Sequence, residues 1–356
     1  MARQGKLAET TDPAGAGAMP SMSKPRKKKG IPAAPMTMAD LAELAGVSKI
    51  TVSRALSEHG VVSAETREKV RAVAAEHGYR FNVSARNLRL RRSQTIAVIV
   101  EMTPSVNRPM SDPYPLELLG GIAQELATAN YALLLTTRQG ATAPAVRAAD
   151  AVILLGQGAK QQAVHVFDRL HLPMVVWGAP SPGDAHIVVG SDNRVAGANV
   201  ASRFVSIGRR HPVFLGDTDH PEMAERHAGF AGHLKERGIT PLVVDPKPFT
   251  SDAGMQAVKA LLRRRSRFDA IFACNDLLAM GAIRALIELG HRVPEDVSVI
   301  GYDDTPLGAA FIPPLSSVHQ NWHEGGILLA RKALALSRSE KVRSETLPSR
   351  LVLRAT

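Results

Sequence analysis

Apolar residues recur with a helical period in three short segments between Thr37 and His77. The first segment follows Thr37, a residue type that caps helices, and ends at Gly46, which has the backbone freedom that a tight turn needs. Ser48 is placed to cap the second segment, and the third runs from Ser63 to about His77. The pattern predicts three helices around a small core, with the first two joined as a helix-turn-helix. The residues that we expect to face this core are Leu41, Leu44, Ala45, Val47, Val52, Ala55, Leu56, Val70, Val73 and Ala74.

From Ile96 onward the pattern changes to short apolar runs that alternate with helical segments. We predict strands at 96–100, 131–136, 151–155, 174–177, 187–189, 213–215, 270–273 and 297–300. Apolar strands that alternate with helices are typical of parallel sheets covered on both faces. The number of runs predicts two such sheets. The fold class is therefore α/β, with an all-α helix-turn-helix domain at the N-terminus.

Composition sets the broad class of the chain. It has 356 residues, 45% of them hydrophobic, which is enough for two or three compact units. No apolar run reaches the roughly 18 residues of a membrane span, and the N-terminus lacks the pattern of a signal peptide. Cys274 is the only cysteine, so an internal disulfide is excluded. We therefore expect a cytoplasmic protein.

The net charge of +11 is concentrated in the first quarter of the chain. Residues 1–36 carry seven Lys or Arg against two Asp or Glu, and residues 37–93 carry ten against six. Such asymmetry favours a polyanion as partner of the N-terminal end, although a basic tail on a soluble enzyme has the same composition. Residues 1–36 lack periodicity and are predicted to form a disordered basic arm. This arm is either a phosphate-binding extension or the product of an upstream start codon, since Met36 stands directly before the first helix.

The second predicted helix presents a basic and polar face outward. A helix of this kind fits the major groove of DNA, where an arginine can donate two hydrogen bonds to guanine, worth roughly 1–3 kcal/mol of discrimination. Hydroxyl side chains can meet phosphates or bases. A generic helical hairpin has the same apolar spacing, but the cap, the turn and the basic face together favour DNA binding. The predicted contact residues are Ser48, Lys49, Ile50, Thr51, Ser53 and Arg54.

Several motifs follow the pattern of one known family in order. They include Ala-Gly-Val-Ser at 45–48, Thr-Val-Ser-Arg at 51–54, Cys-Asn-Asp at 274–276 and Val-Ser-Val-Ile-Gly-Tyr-Asp-Asp at 297–304. From about residue 37 to the C-terminus the chain resembles the lactose-repressor (LacI/GalR-type) family of transcription regulators. The resemblance implies a helix-turn-helix domain at 37–80 and a hinge helix at 81–93. It also implies a two-lobed, periplasmic-binding-protein-like domain for effector binding and dimerisation at 94–356.

By the same resemblance the hinge segment orders as a helix on operator DNA. Leu88 is then an apolar wedge in the minor groove, although from the sequence alone it reads as an ordinary packing residue. Arg86 and Arg89 contact the groove and its phosphates. The hinge residues expected at DNA are Asn82, Arg86, Leu88 and Arg89.

The resemblance also carries the effector role to residues of the α/β domain, in a cleft at the carboxyl ends of its strands. They are Tyr114, Asp192, Arg226, Phe249, Asn275 and Asp303, with His220 as a further candidate. Taken singly each has a structural alternative, because an Asp after a strand also caps the next helix. The expected effector is a sugar-like inducer that relieves repression, and a purine-type corepressor is the rival.

One segment departs from the family pattern. Only 14 residues separate the strands at 131–136 and 151–155, where the family has a full helix that contributes to the dimer contact, whereas 103–110 is an insertion. The C-terminal residues lack a leucine heptad, so a homodimer is expected rather than a tetramer.

Enzyme motifs are missing from the sequence. Gly156 and Gly158 follow a strand, but Gln161 stands where a dinucleotide fingerprint has its third glycine, and neither a Gly-Lys-Ser/Thr loop nor a Gly-x-Ser-x-Gly elbow occurs. The spacing of His220, His227 and His233 does not suit a metal site on one helix. We therefore predict no catalytic residue, cofactor or metal. The remaining alternative is a ligand-binding protein without a regulatory role.

Overall fold

The computed structural model describes residues 36–56, 62–79, 93–102, 110–181 and 183–356. It divides the chain into two compact units, Met1–Asn82 and Val83–Thr356. The predicted arm up to residue 35 and the insertion at 103–109 lie outside the described residues, as do the hinge residues Asn82, Arg86, Leu88 and Arg89.

The N-terminal unit contains the three predicted helices, α1 (Met38–Ala45), α2 (Lys49–Leu56) and α3 (Ala64–Glu76). Thr37 and Asp40 form a reciprocal capping box at the start of α1, and Gly46 ends the helix with φ of 64°. Ser63 caps α3 by accepting a hydrogen bond from the backbone of Thr66. The predicted helix-turn-helix is confirmed.

One core residue of this unit was predicted wrongly. Leu44 is 51% exposed, whereas Ala42 is buried beside Leu41 and Ala45. The buried stripe of α1 thus follows an i, i+1, i+4 spacing, and Leu44 lies at the flank of this stripe, outside the core. In a short helix the apolar residues are compatible with more than one buried face, so the sequence alone does not decide which face packs on the core.

The second unit contains two six-stranded sheets, and all strand pairs but one are parallel. The first sheet has the order β11-β5-β4-β3-β1-β2, and the second has the order β12-β10-β9-β8-β6-β7. The strands are β1 (Thr95–Val100), β2 (Ala132–Thr137), β3 (Ala151–Leu155), β4 (Met174–Trp177), β5 (Ile187–Ser191), β6 (Pro212–Leu215), β7 (Leu242–Val244), β8 (Ala270–Ala273), β9 (Ser298–Asp303), β10 (Ser316–His319), β11 (Glu345–Leu347) and β12 (Arg350–Val352).

Helices cover the sheets and define two lobes. The first lobe contains α4 (Pro113–Thr128), α5 (Pro144–Arg147), α6 (Gln162–Phe167) and α12 (Trp322–Ser337). The second lobe contains α7 (Asn193–Ser206), α8 (Pro221–Lys235), α9 (Ser251–Arg263), α10 (Asp276–Glu288) and α11 (Pro306–Ala309). The chain crosses between the lobes three times, after β5, after β10 and after β11. No helix in the described ranges is long and apolar enough to cross a membrane.

All eight predicted runs form strands, and the two predicted sheets are confirmed. Four short strands were missed: β7, β10, β11 and β12. They lie at or beside sheet edges and carry few consecutive apolar residues, so their sequence gives little periodic signal.

The segment between β2 and β3 lacks a full helix, as predicted. It contains a 3-10 turn at Arg138–Gly140 and the four-residue helix α5. Strand β2 lies at one edge of the first sheet, and Leu135 within it is 44% exposed.

Three helix pairs pack at very close range through glycines. In each pair, a methyl group added to a glycine of one helix would overlap a backbone carbonyl oxygen of the other, and this holds in both directions. The glycines are Gly121 and Gly326 in α4 and α12, Gly197 and Gly229 in α7 and α8, and Gly254 and Gly281 in α9 and α10. The absence of side chains at these positions sets the distance between the helices, and with it the position of α8.

We expect Gly229→Ala to lower the free energy of unfolding by at least about 2 kcal/mol, because the new methyl group would overlap the carbonyl oxygen of Arg194. Gly232 lies on the same helix with open space around it, so Gly232→Ala should raise stability by roughly 0.5–1 kcal/mol. Urea unfolding of both variants measures the difference. Equal effects would show that the close approach of α7 and α8 is not constrained by Gly229.

Candidate functional site

Six residues predicted to contact DNA lie at the start of α2 or on it: Ser48, Lys49, Ile50, Thr51, Ser53 and Arg54. Lys49 and Arg54 are exposed, and 62% of the surface of Ile50 is accessible. The hydroxyl oxygen of Ser48 accepts a hydrogen bond from the backbone N–H of Thr51 at 3.1 Å, so it caps the helix as predicted. The structure therefore presents two cations and one apolar side chain on the open surface of the second helix.

A cavity of about 160 Å3 lies between the two lobes, where the carboxyl ends of both parallel sheets meet. Ligands bind at this edge of open α/β sheets because the loops after the strands converge there. Six of the seven predicted effector residues line this one cavity: Tyr114, His220, Arg226, Phe249, Asn275 and Asp303. Residues separated by nearly 190 positions in the sequence are thus brought together by the topology.

Asp192 is the exception. Its carboxylate accepts a hydrogen bond from the backbone N–H of Val195 at 3.0 Å and caps α7, and it does not line the cavity. Its neighbours Ser191 and Asn193 line the cavity instead. The described contact of the Asp192 side chain is thus the structural alternative, the helix cap, and its role in effector binding stays a prediction.

Arg226 is a buried cation at the centre of the cavity wall, with 7% of its surface exposed. Its Nε donates to Oδ1 of Asn193 at 2.9 Å, and its Nη1 donates to the carbonyl oxygen of Cys274 at 2.6 Å. The guanidinium lies 3.5 Å from the centroid of the Tyr302 ring. The Tyr302 hydroxyl also donates to Oδ1 of Asn193 at 3.0 Å. One amide oxygen therefore holds both side chains in place.

Asp303 is connected to the crossing segments by a chain of hydrogen bonds. Nε2 of Gln320 donates to Oδ1 of Asp303 at 2.8 Å, and Oε1 of Gln320 accepts from the Ser191 hydroxyl at 2.7 Å. Burial raises the pKa of Asp303 well above its usual value, and the charge of Arg226 opposes that rise. The backbone of Asp303 has φ of 111°, a conformation that costs energy for a residue with a side chain and is common at functional sites.

Asp276 fixes the loop after β9. One of its carboxylate oxygens accepts hydrogen bonds from the backbone and the hydroxyl of Thr305, and the other accepts from the hydroxyl of Ser317 at 2.6 Å. Burial raises the pKa of Asp276 to about 6, although these hydrogen bonds favour the ionised form. Asp276 thus supports the loop from beneath the cavity.

His220 joins the cavity to a small ionic network. Its Nδ1 lies 3.2 Å from the carboxylate of Asp217, which also pairs with Lys247 at 3.1 Å. The ring meets Phe249 edge-on, with 5.2 Å between the centroids. This network positions His220 and Phe249 against each other at one side of the cavity.

Sequence reasoning missed several lining residues, among them Gln157, Asn193 and Glu222. Gln157 lies between Gly156 and Gly158, in a stretch whose glycines drew attention only as a possible dinucleotide-binding motif. Glu222 stands one position after the helix-starting Pro221, where a carboxylate is common for capping reasons. These three residues share a position in the sheet topology, because each follows the carboxyl end of a strand. No group of three His, Cys, Asp or Glu side chains suited to a metal was found in the described ranges.

A helix-turn-helix with an exposed basic helix, followed by a two-lobed domain with a polar cleft, defines a DNA-binding transcription regulator with a ligand-binding domain. A family model described as bacterial regulatory proteins, lacI family, matches residues 37–82, and one described as periplasmic binding protein-like domain matches residues 201–356. The chain belongs to the LacI family of transcription regulators.

Several known proteins are similar over most of the chain. The HTH-type transcriptional regulator AscG of Escherichia coli (strain K12) is 33% identical over 295 residues, which is 79% of this chain and 86% of AscG. CelR of Thermobifida fusca is 32% identical over 330 residues, or 89% of this chain and 95% of CelR. A lac repressor dimer bound to operator and the anti-inducer ONPF has a TM-score of 0.77 at 25% identity, covering 90% of this chain and 99% of that chain.

We expect Asn193→Ala to lower the free energy of unfolding by roughly 2–5 kcal/mol, because Nε of Arg226 and the hydroxyl of Tyr302 would both lose their acceptor inside the protein. Asp192→Ala removes only a helix cap and should cost about 1 kcal/mol. Chemical unfolding of the two variants compares adjacent positions directly. A larger loss for Asp192→Ala would contradict the assignment of these two residues.

Proposed function

We propose that this protein is a homodimeric repressor that binds a pseudo-palindromic operator, and that a small sugar-like effector in the cleft between the lobes controls this binding. The observation that carries the proposal is the cavity built around Arg226, Asn275 and Asp303 in a chain that also has an exposed recognition-type helix. Ligand control requires that the effector favour one arrangement of the protein over another.

The DNA half of the proposal is supported by α2. Arg54 supplies a forked donor suited to guanine, Lys49 a phosphate contact and Ile50 an apolar contact such as a thymine methyl group. The motifs at the hinge add Asn82, Arg86, Leu88 and Arg89 as proposed contacts, with Leu88 as the minor-groove wedge. A homodimer would present two copies of each element to the two halves of an operator.

The effector half is supported by the chemistry of the cavity lining. Asn275, Asp303 and Arg226 offer an amide, a carboxylate and a guanidinium, which together fix hydroxyl groups in orientation. Tyr114 and Phe249 add aromatic faces on which a sugar ring can stack. The similar lac repressor structure contains the anti-inducer ONPF. This similarity supports the proposal of a repressor that is controlled by a ligand.

Fluorescence anisotropy with a library of genomic fragments tests the DNA half of the proposal. The wild-type protein should prefer one fragment, and its affinity should fall steeply with salt because bound counterions are released from DNA. Arg54→Ala should reduce the preference for that fragment by about tenfold or more, because it removes a bidentate base contact. Arg71→Ala removes the same charge from an exposed position on α3 and should leave the preference unchanged.

The same titration with sugars and purines added tests the effector half. A bound sugar should weaken binding to the preferred fragment, and Asp303→Asn should weaken the response to that sugar. A response to purines in place of sugars would support the corepressor alternative. Equal affinity for all fragments, whatever metabolite is present, would contradict the proposal.

A further inference from the structure

The cavity between the lobes is strongly acidic. Five carboxyl side chains line it: Glu101, Asp112, Glu222, Asp276 and Asp303. Among the described lining residues, Arg226 is the one guanidinium or ammonium group, and His220 is the one imidazole. An anionic effector, such as a sugar phosphate or a carboxylate, would enter a field of its own sign.

The single cation of the lining is already engaged. Arg226 donates to Asn193 and to the carbonyl oxygen of Cys274, and its face lies on the ring of Tyr302. Asp303 lies close enough for the charge of Arg226 to lower its pKa. The hydrogen-bond donors and the face of Arg226 are therefore engaged with the protein's own groups, and among the described lining residues no second guanidinium or ammonium group accompanies the five carboxyl groups.

Glu222 is the least compensated of these carboxylates. It stands in the first turn of α8 and makes no hydrogen bond or ion pair with another residue in the described part of the chain. Burial raises the pKa of Glu222; the charges of Arg226 and His220 oppose that rise, and the charge of Glu101, which lies in the other lobe, adds to it. Glu101 has a long ion pair, at 3.8 Å, with the half-exposed Arg138. The cavity is thus lined by one carboxyl group from each lobe, Glu101 from the first and Glu222 from the second.

A buried donor without an acceptor lies in the same lining. Gln157 is fully buried, and its Oε1 accepts a hydrogen bond from the backbone N–H of Ala179 at 2.8 Å. Its Nε2 has no partner among the described residues. A methyl group on Gly178 would overlap Oε1 of Gln157, so the glycine keeps the room that this side chain occupies. A buried amide N–H of this kind favours an oxygen acceptor, and an oxygen atom of a ligand in the cavity can supply it.

The volume limits the size of the effector. An apolar cavity of about 150 Å3 in another protein takes up a single benzene molecule. The cavity of about 160 Å3 between the two lobes therefore suits a molecule of about one six-membered ring.

From these observations we infer that the effector is a small polyhydroxylated molecule with a protonated amine, of the class of single-ring amino sugars. Its ammonium group lies between Glu222 and Glu101, and one of its oxygen atoms accepts a hydrogen bond from Nε2 of Gln157. The ammonium group offers these carboxylates a charge-assisted hydrogen bond, which a neutral sugar cannot provide. The inference rests on the proposed function, since it names the class of ligand for the same cavity.

Isothermal titration calorimetry of the full chain with matched pairs tests the inference. The pairs are D-glucosamine and D-glucose, D-galactosamine and D-galactose, D-mannosamine and D-mannose, and the Tris cation and pentaerythritol. In each sugar pair an ammonium group replaces a hydroxyl group, and in the last pair it replaces a hydroxymethyl group. For at least one pair we expect the cation to bind roughly tenfold more tightly or better, because its contact with the carboxylates is charge-assisted.

Glu222→Gln tests whether Glu222 causes the preference for the cation. It should reduce the preference for the cation to within about threefold, because the charge is removed and the shape is kept. Glu225→Gln is the matched control on the same helix, where the carboxylate pairs with Arg194 at the surface, and it should retain the full preference.

Proton release is a second readout. Glu222 titrates under the influence of Glu101, Arg226 and His220, and a bound cation would lower its raised pKa. Below pH 7, binding of the cation should release protons, so the observed heat should differ between two buffers of different ionisation enthalpy. Glu222→Gln should remove most of that difference.

Three outcomes would overturn the inference. They are a neutral member that binds as tightly as its cation in every pair, a cation preference that survives Glu222→Gln, and the absence of binding by every cation. None of these three outcomes contradicts the proposed function. The proposed function is contradicted by a different result, namely that neither sugars nor purines alter binding to the preferred DNA fragment.

Discussion

The structure of the ligand-binding domain depends on one buried charge, the guanidinium of Arg226. Removing a guanidinium from water costs several kcal/mol unless its donors find acceptors and its charge finds a partner. Asn193, the carbonyl oxygen of Cys274, the ring of Tyr302 and the nearby carboxylate of Asp303 supply those groups. They come from three places, the start of α7 and the ends of β8 and β9, so compensation of this charge requires the carboxyl edge of the second sheet to be assembled correctly.

The hydrogen-bond network around Arg226 extends to the segments that connect the lobes. Asn193 stands directly after the first crossing of the chain, and its Nδ2 donates to the carbonyl oxygen of Ser191 at 3.1 Å. The hydroxyl of Ser191 donates to Gln320, which stands at the second crossing and holds Asp303. Two of the three crossings therefore share hydrogen bonds with the wall of the cavity. A ligand that changes the contacts of Arg226 or Asp303 would act on groups bonded directly to the crossings between the lobes.

Much of the fold could be predicted because its elements carry local signals. Buried parallel strands read as apolar runs, as at 151–155 and 270–273, and the caps Thr37, Ser48 and Ser63 mark helix starts by side-chain chemistry. The edge strands β7, β11 and β12 carry weaker apolar patterns and could not be found. Leu44 was misplaced because a helix of eight residues fits more than one apolar stripe.

The site was predictable only in part, since its chemistry depends on which strand ends are neighbours. The family resemblance carried six residues into one cavity, but it chose Asp192 where the adjacent Asn193 does the work of holding Arg226. Gln157 and Glu222 belong to no recognisable sequence motif and to no hydrophobic period. Both line the cavity, and Nε2 of Gln157 is buried without a partner among the described residues; these are properties of the folded chain.

A double-mutant cycle between Asn193 and Arg226 tests this account most directly, with the free energy of unfolding measured for wild type, Asn193→Ala, Arg226→Met and the double variant. If the amide oxygen of Asn193 compensates the buried guanidinium, removing the charge should relieve most of the damage done by removing the oxygen, and the coupling should be at least about 1 kcal/mol. Effects that add to within about 0.5 kcal/mol would contradict the account.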